Sequence, residues 1–391
     1  MKTLLGAIIT EASGKLGGHV ATKGGKGSHL RRNPIQNSNP SFTQQLIRQR
    51  IQVLSRSWAS LTQAQRNSYG MLIIGRESAF DAYRRLVFND IGLSWSLSRP
   101  NASETIILSG CALPHGIVLM STAAHGHIIR STNYGFTFSD LGQLYSSTGF
   151  NKIIYLEKGI CLAGSANLGL IIRSTDYGLT WSNLGTLYAQ TNIYAFVYLG
   201  NGICLAGTGP GSYILRSTDY GLTWSNIYTA TASTGIVSFI DLGTGVCLAG
   251  SGSNGKVYRS IDYGLSWSST PQLFSSTNIR SFVRLDNGAI LACTAPSSKM
   301  LFSYDNGVSW SASPSLAGSS AIYDMCYVGN NTILAAIFSP ASILRSIDNG
   351  QSWSTVAMPG SVTRLYCLFN ISKVIAIAGS YPNGYVLRSI I

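Results

Sequence analysis

Short apolar runs broken by Gly, Ser, Asp and Asn fill the chain from residue 99 to its end. Between 194 and 225, the runs Tyr194 to Leu199, Gly202 to Gly207, Tyr213 to Ser217 and Thr223 to Ser225 predict four strands. The last two flank Asp219-Tyr220-Gly221 and predict a hairpin. In it the Asp side chain accepts bonds from the turn's own amides, and the Gly supplies a positive φ.

The pattern returns every 43 residues. Asp176, Asp219 and Asp262 open near-identical hexapeptides, and weaker copies start at Asn133, Asp305 and Asp348. One step back from Asn133 reaches Asp90, and one step forward from Asp348 reaches Ile391. An aromatic column runs through the copies as Trp95, Phe138, Trp181, Trp224, Trp267, Trp310 and Trp353. A large flat ring at one fixed place in every unit predicts packing between neighbouring units. Four short strands per unit at this period predict a β-propeller.

Ser174 to Trp181 and Ser217 to Trp224 match the pattern Ser-x-Asp-x-Gly-x-Thr-Trp. Residues 90–391 therefore resemble the Asp-box, or bacterial neuraminidase repeat, propellers. The resemblance implies that the box joins the third and fourth strands of each blade, on the face opposite the usual ligand site. It also implies a structural role for Asp90, Asn133, Asp176, Asp219, Asp262, Asp305 and Asp348 and for the tryptophans. Asn133, Phe138 and Phe302, the last at a position that otherwise holds Arg, depart from the pattern.

Counting units predicts how the ring shuts. Six complete units run from 99 to about Thr355, leaving Val362 to Phe369, Lys373 to Ala378 and Tyr385 to Ile391 without a fourth strand. Residues 93 to 98 follow an orphan box and are expected to pair with Tyr385 to Ser389, making a seventh blade from both ends and leaving no free edge at the seam.

The domain division is accordingly 1–89 and 90–391. Of the net charge of +13, residues 1 to 86 hold 13 Lys and Arg against Glu11, Glu77 and Asp81. Such a basic segment suits nucleic acid, a membrane or an acidic protein surface. Its short β-like runs, Leu4 to Ile9, Gly18 to Thr22 and Ser28 to Arg32, predict a hairpin or arm, and capping boxes at Ser41, Thr62 and Ser78 predict three helices. Gly14 to Val20, Arg31-Arg32-Asn33-Pro34, Asn39-Pro40 and Trp58-x-x-Leu61-Thr62-x-x-Gln65-Arg66 resemble a small basic domain of tailed-bacteriophage virion proteins, over roughly residues 12 to 90. That resemblance implies anchoring to other virion proteins. The alternative is a helical cap on the propeller with a solvated basic face.

No secretion signal and no membrane-length run is expected. Cys161, Cys204 and Cys247 share one repeat position, and so are expected to be buried, unbridged thiols in different blades. A sialidase-like activity needs an arginine cluster, a Tyr and Glu nucleophile pair and an acid. The propeller holds only Glu104 and Glu157, its aspartates at the repeat positions are turn residues, and Arg130, Arg173, Arg216, Arg259, Arg345 and Arg388 repeat around the ring. Catalysis, a cofactor and a metal site are not expected, and His125 and His127 lack an acidic or Cys partner nearby in sequence.

One position, 25 residues before each box, varies between apolar neighbours: Leu108, Asn151, Tyr194, Val237, Arg280, Tyr323 and Tyr366. Tyr194, Arg280, Tyr323 and Tyr366 are candidates for a sugar- or protein-binding face, or for plugs of the central channel. The expected function is a non-enzymatic virion protein whose propeller serves decoration, assembly or host-surface glycan or protein binding, as an oligomer or docked subunit. Nucleic acid is a less favoured partner. The rivals are a binding or assembly module in the bacterial cytoplasm or on the cell surface, and a glycoside hydrolase.

Overall fold

The computed structural model describes residues 19–24 and 27–32 and, apart from short loop segments, 95–390. The chain divides into two compact units, Met1–Gly92 and Leu93–Ile391. In the first, His19–Gly24 and Gly27–Arg32 form an antiparallel hairpin, where the sequence predicts short β runs. The run Leu4 to Ile9 and the helix starts at Ser41, Thr62 and Ser78 lie outside the described residues.

The second unit is a seven-bladed β-propeller of four-stranded antiparallel sheets. Blades 1 to 6 span residues 107–143, 150–186, 192–229, 236–269, 278–312 and 322–356. In blade 3 the strands are Asn192–Gly200, Ile203–Gly209, Tyr213–Ser217 and Ser225–Thr229, hydrogen-bonded in that order. First strands of successive blades touch all the way round, blade 7 against blade 1 included, so they form the inner ring.

Blade 7 combines Arg364–Ser372, Ile375–Tyr381 and Val386–Ile390 with Trp95–Ser98 as its fourth strand. Trp95 lies opposite Ser389 and Ser98 opposite Val386. This is the pairing that the unit count predicts. The outermost strand of the last blade thus comes from the other end of the propeller sequence, and the seam is a hydrogen-bonded sheet rather than two abutting edges.

The second strands, such as Cys161–Ser165 and Ile290–Ala295, are buried along their whole length, which explains their unbroken apolar character. Each core cluster fills the space between two neighbouring blades. Leu162 and Ile171 of blade 2, for example, pack with Ile193, Phe196 and Leu215 of blade 3, and Trp224 borders that group with its ring 6.1 Å from Phe196. Each such aliphatic side chain contributes about 1.5–3 kcal/mol of burial. Six of the seven cysteines are buried and all seven are unbridged.

The repeated turn is a closed hydrogen-bond unit. Ser217 Oγ donates to Asp219 Oδ1 at 2.7 Å and accepts from the Gly221 amide at 2.9 Å. Asp219 also accepts from the amide and hydroxyl of Thr223, at 2.9 and 2.6 Å. Trp224 Nε1 donates to Gly221 O at 3.0 Å. The copies at Asp176, Asp262, Asp305 and Asp348 keep the same bonds. Asn133 preserves the geometry by accepting from the Thr137 amide at 2.9 Å and donating to its hydroxyl at 2.8 Å.

Two features of this turn escape the sequence. The residue before the glycine is also left-handed, with φ of 59° at Tyr177 and Tyr220 and 60° at Asn349, a conformation that costs a non-glycine residue about 1–2 kcal/mol. It is held from both sides: the Tyr220 amide donates to Gly202 O at 2.9 Å, and its carbonyl accepts Arg173 Nε of the preceding blade at 3.0 Å. The glycine, moreover, abuts that preceding blade, since a Cβ on Gly221 would come within 2.7 Å of Leu162 Cδ1.

The arginine column is therefore a blade-to-blade clamp. Arg130, Arg173, Arg216, Arg259 and Arg388 donate Nε to the carbonyls of Tyr177, Tyr220, Tyr263, Asn306 and Tyr134. The sixth member of the column, Arg345, has a buried Nε without a hydrogen-bond partner among the described residues.

Candidate ligand face

Antiparallel blades sort their connections onto two faces. Turns between third and fourth strands bond to loops between first and second strands, as Tyr177 N does to Gly159 O. On the opposite face, loops between second and third strands bond to the start of a first strand, as Phe338 N does to Ala321 O and Gly252 N to Gly235 O.

On that opposite face every blade carries a β-bulge at the same place. Pairing of first with second strand skips from Ile107 to Ser109, Phe150 to Lys152, Ile193 to Ala195, Ile236 to Ser238, Ile279 to Ser281, Ile322 to Asp324 and Leu365 to Cys367. The skipped residues are Leu108, Asn151, Tyr194, Val237, Arg280, Tyr323 and Tyr366, the variable column found in the sequence. Each is half-buried while the residue before it is buried. A bulge inserts one residue that owes nothing to the ladder and re-aims its side chain, so this column varies without disturbing the sheet.

The structure brings three of the four candidates together and leaves one apart. The Arg280 guanidinium lies over the Tyr323 ring at 4.6 Å, and Tyr323 stacks on Phe338 with centroids 4.2 Å apart and planes 13° apart. Arg364 covers Phe338 at 5.3 Å and Tyr381 at 5.1 Å. Tyr366 meets Tyr323 and Phe338 edge-on at 6.0 and 5.4 Å. The result is a continuous succession of planar groups, Arg280, Tyr323, Phe338, Arg364 and Tyr381, across blades 5, 6 and 7. Tyr194 instead lies against Gly235, whose added Cβ would meet its ring at 3.0 Å.

These two arginines differ from the clamp arginines. Among the described residues neither Arg280 nor Arg364 donates a hydrogen bond to a protein acceptor or pairs with a carboxylate, and Arg280 Nε is a buried donor without a partner. Each ring contact contributes about 0.5–1 kcal/mol at an exposed site. A buried donor left unpaired costs about 1–3 kcal/mol, so stacking alone does not offset it. Asp324, the acid beside Tyr323, is already engaged: it accepts from Ser281 Oγ at 2.8 Å and from the Leu368 amide at 2.9 Å, tying three inner strands together.

A second polar group on this face involves the histidines of blade 1. Glu104 is 1% exposed, and its Oε1 lies 3.2 Å from His125 Nδ1 and 3.7 Å from His127 Nε2. His127 Nδ1 also lies 2.9 Å from Asp140. The acidic partners missing from the neighbouring sequence are thus supplied by the fold. Among the described residues no group of His, Cys, Asp and Glu has the arrangement of a metal site. The other propeller glutamate, Glu157, accepts from Tyr220 at 2.8 Å and pairs with Lys158 at 3.4 Å, on the turn face. The hydrogen bond from Tyr220 is the main cause holding its carboxyl below the usual glutamate range.

No family model and no curated protein matches the chain. Solved propellers do. YCF48 bound to D1 peptide superposes with a TM-score of 0.62 at 17% identity, covering 76% of this chain and 97% of that one. YCF48 from Cyanidioschyzon merolae gives 0.61 at 15%, covering 76% and 98%. A catalytically inactive virginiamycin B lyase from Staphylococcus aureus, with quinupristin, gives 0.65 at 11%, covering 76% and 99%. These neighbours include an enzyme, and at such identities the likeness is one of fold, a scaffold on which both binding and catalysis are known.

Proposed function

We propose that the chain is a non-enzymatic bacteriophage structural protein, anchored to other virion proteins by its basic N-terminal unit and using the propeller for decoration, assembly or host-surface binding. The propeller half of this reading rests on one observation, the arginine and tyrosine succession on blades 5 to 7, whose guanidiniums donate to no acceptor among the described residues. The virion half rests on the resemblance of residues 12 to 90 to a phage basic domain, and on the concentration of charge there. Both propeller glutamates being engaged by neighbouring side chains favours binding over hydrolysis. The peptide named with YCF48 lends support to a protein-binding use of such a ring.

Quantitative mass spectrometry of purified particles tests the virion assignment. Recovery of the chain in a fixed ratio to the major capsid protein supports it, and recovery only from host extract removes it in favour of a bacterial binding or assembly module with the boxes in the Asp-box role. Turnover of a sialoside panel by the purified chain would overturn the non-enzymatic reading.

A further inference from the structure

We infer that the face over blades 5 to 7 binds an anionic cell-surface polysaccharide, through Arg280 and Arg364 on its acidic groups and the adjoining tyrosine phenols on its hydroxyls. This deepens the reading of the propeller as a binding module. Four observations converge on it.

First, both guanidiniums are oriented by rings rather than by acids. A guanidinium flattened on an aromatic face keeps its five N–H donors at the edge, arranged to take a carboxylate or phosphate in two parallel bonds. The guanidinium carbon of Arg280 lies 4.6 Å from the Tyr323 ring centre, and that of Arg364 lies 5.3 and 5.1 Å from the Phe338 and Tyr381 ring centres.

Second, the described residues around the site carry no free acid. Residues 270–273, 278–281, 295–296, 298–300, 321–323, 338–342, 362–366 and 381–385 carry Arg280, Lys299 and Arg364 and not one Asp or Glu, and the adjacent Asp324 is tied to Ser281 and Leu368. A cationic field over three consecutive blades complements a polyanion and steers it inward.

Third, the described residues there include Thr270, Asn278, Ser281, Ser298, Ser339, Ser342, Thr363 and Asn383. Hydroxyl and amide groups suit hydroxyl-rich sugars, and the half-buried phenols of Tyr323, Tyr366 and Tyr381 add hydrogen-bonding groups beside the stack, whose inner ring faces are already covered. An acidic peptide has the charge but not the hydroxyls.

Fourth, the two arginines sit in blades separated by one other, with Tyr323 and Phe338 of the intervening blade between them. Two cationic groups spaced by a pair of stacked rings fit a polymer whose acidic groups recur along its length better than a single anion. Carboxylate on uronic acids and phosphate between sugars or polyols share this recognition chemistry.

The test uses the full chain in biolayer interferometry against immobilised alginate, a glycerol-phosphate teichoic acid, dextran and poly-glutamate. Arg280→Gln, Arg364→Gln and the double substitution are compared with Lys158→Gln, which removes one charge from the turn face. Arg364 is exposed, so its replacement leaves the fold intact even if that of Arg280 does not. The expected result is binding to alginate or teichoic acid, weakened at least tenfold by either arginine substitution and less than twofold by Lys158→Gln. The alginate and teichoic acid arms separate carboxylate from phosphate recognition. Equal loss with Lys158→Gln, equal binding of dextran, or poly-glutamate binding as tightly with the same arginine dependence would each overturn the inference. Particle composition is a separate readout, so an absent virion location would leave this site standing, and a charge-independent face would leave the virion location standing.

Discussion

Arg388 Nε donates to the carbonyl of Tyr134 at 3.0 Å, joining residues 254 positions apart in sequence. It is the same clamp that Arg216 makes to Tyr263, but across the seam where the chain closes on itself. Arg388 is only 6% exposed, and burial holds its guanidinium below the usual arginine range.

Arg388→Ala removes a largely buried donor from the half-buried left-handed turn of blade 1 and is expected to cost about 1–3 kcal/mol. Arg216→Ala, at a more exposed clamp, is expected to cost about 0.5–1 kcal/mol. Urea unfolding of the two variants reads the difference, and equal losses would show that the seam is no more dependent on its clamp than an ordinary blade junction.

Gly221 and Gly243 share a left-handed backbone, with φ of 78° and 79°, but only Gly221 faces Leu162, while nothing lies within 4 Å of a Cβ on Gly243. Gly243→Ala should therefore cost only the conformational penalty of about 1–2 kcal/mol. Gly221→Ala should add overpacking of about 1–3 kcal/mol. Thermal unfolding of the pair separates backbone conformation from space.

Asp305 and Asp348 are held at about 2, chiefly by hydrogen bonds from the hydroxyls of Ser309 and Ser352. An unfolded Asp titrates near 3.9, roughly, so their folded values are depressed. The stability they contribute is complete above about pH 4 and is lost as pH falls toward 2. Asp305→Asn, imitating Asn133 of blade 1, is expected to flatten this acid limb while keeping the turn, and denaturant titrations at neutral and acidic pH measure both.

Burial pushes the thiols of Cys161, Cys204, Cys247 and Cys367 up to about 12, and raises those of Cys293 and Cys326 as well. Cys111 is half-buried, yet desolvation raises its thiol well above the usual cysteine range too, so native protein at pH 8 should label slowly with a thiol reagent, and at Cys111 before any other. The remaining six should react only on unfolding. Rapid labelling of several thiols in native protein would contradict the closed inter-blade packing.

The architecture was legible because a propeller writes each blade into the sequence again: the Asp and Trp columns set the period, and the period counted the blades and paired Trp95 with Ser389. The variable column at Arg280, Tyr323 and Tyr366 was also legible, but its cause was not, because a bulge is a property of register between strands and leaves no mark in one strand alone. Phe338 and Tyr381 went unseen although they stand 43 residues apart, since the other blades have no aromatic there. Arg364 belongs to no column. The partnership of Glu104 with His127 joins the lead-in of a blade to its third strand, a meeting that only folding arranges.

The recurring bulge has an evolutionary consequence. Because the inserted residue is exempt from the ladder, its side chain can be exchanged in one blade without a compensating change in the next. Seven such positions facing one side make a surface whose preferences can be rewritten one codon at a time, while the scaffold beneath keeps its stability and its count of blades.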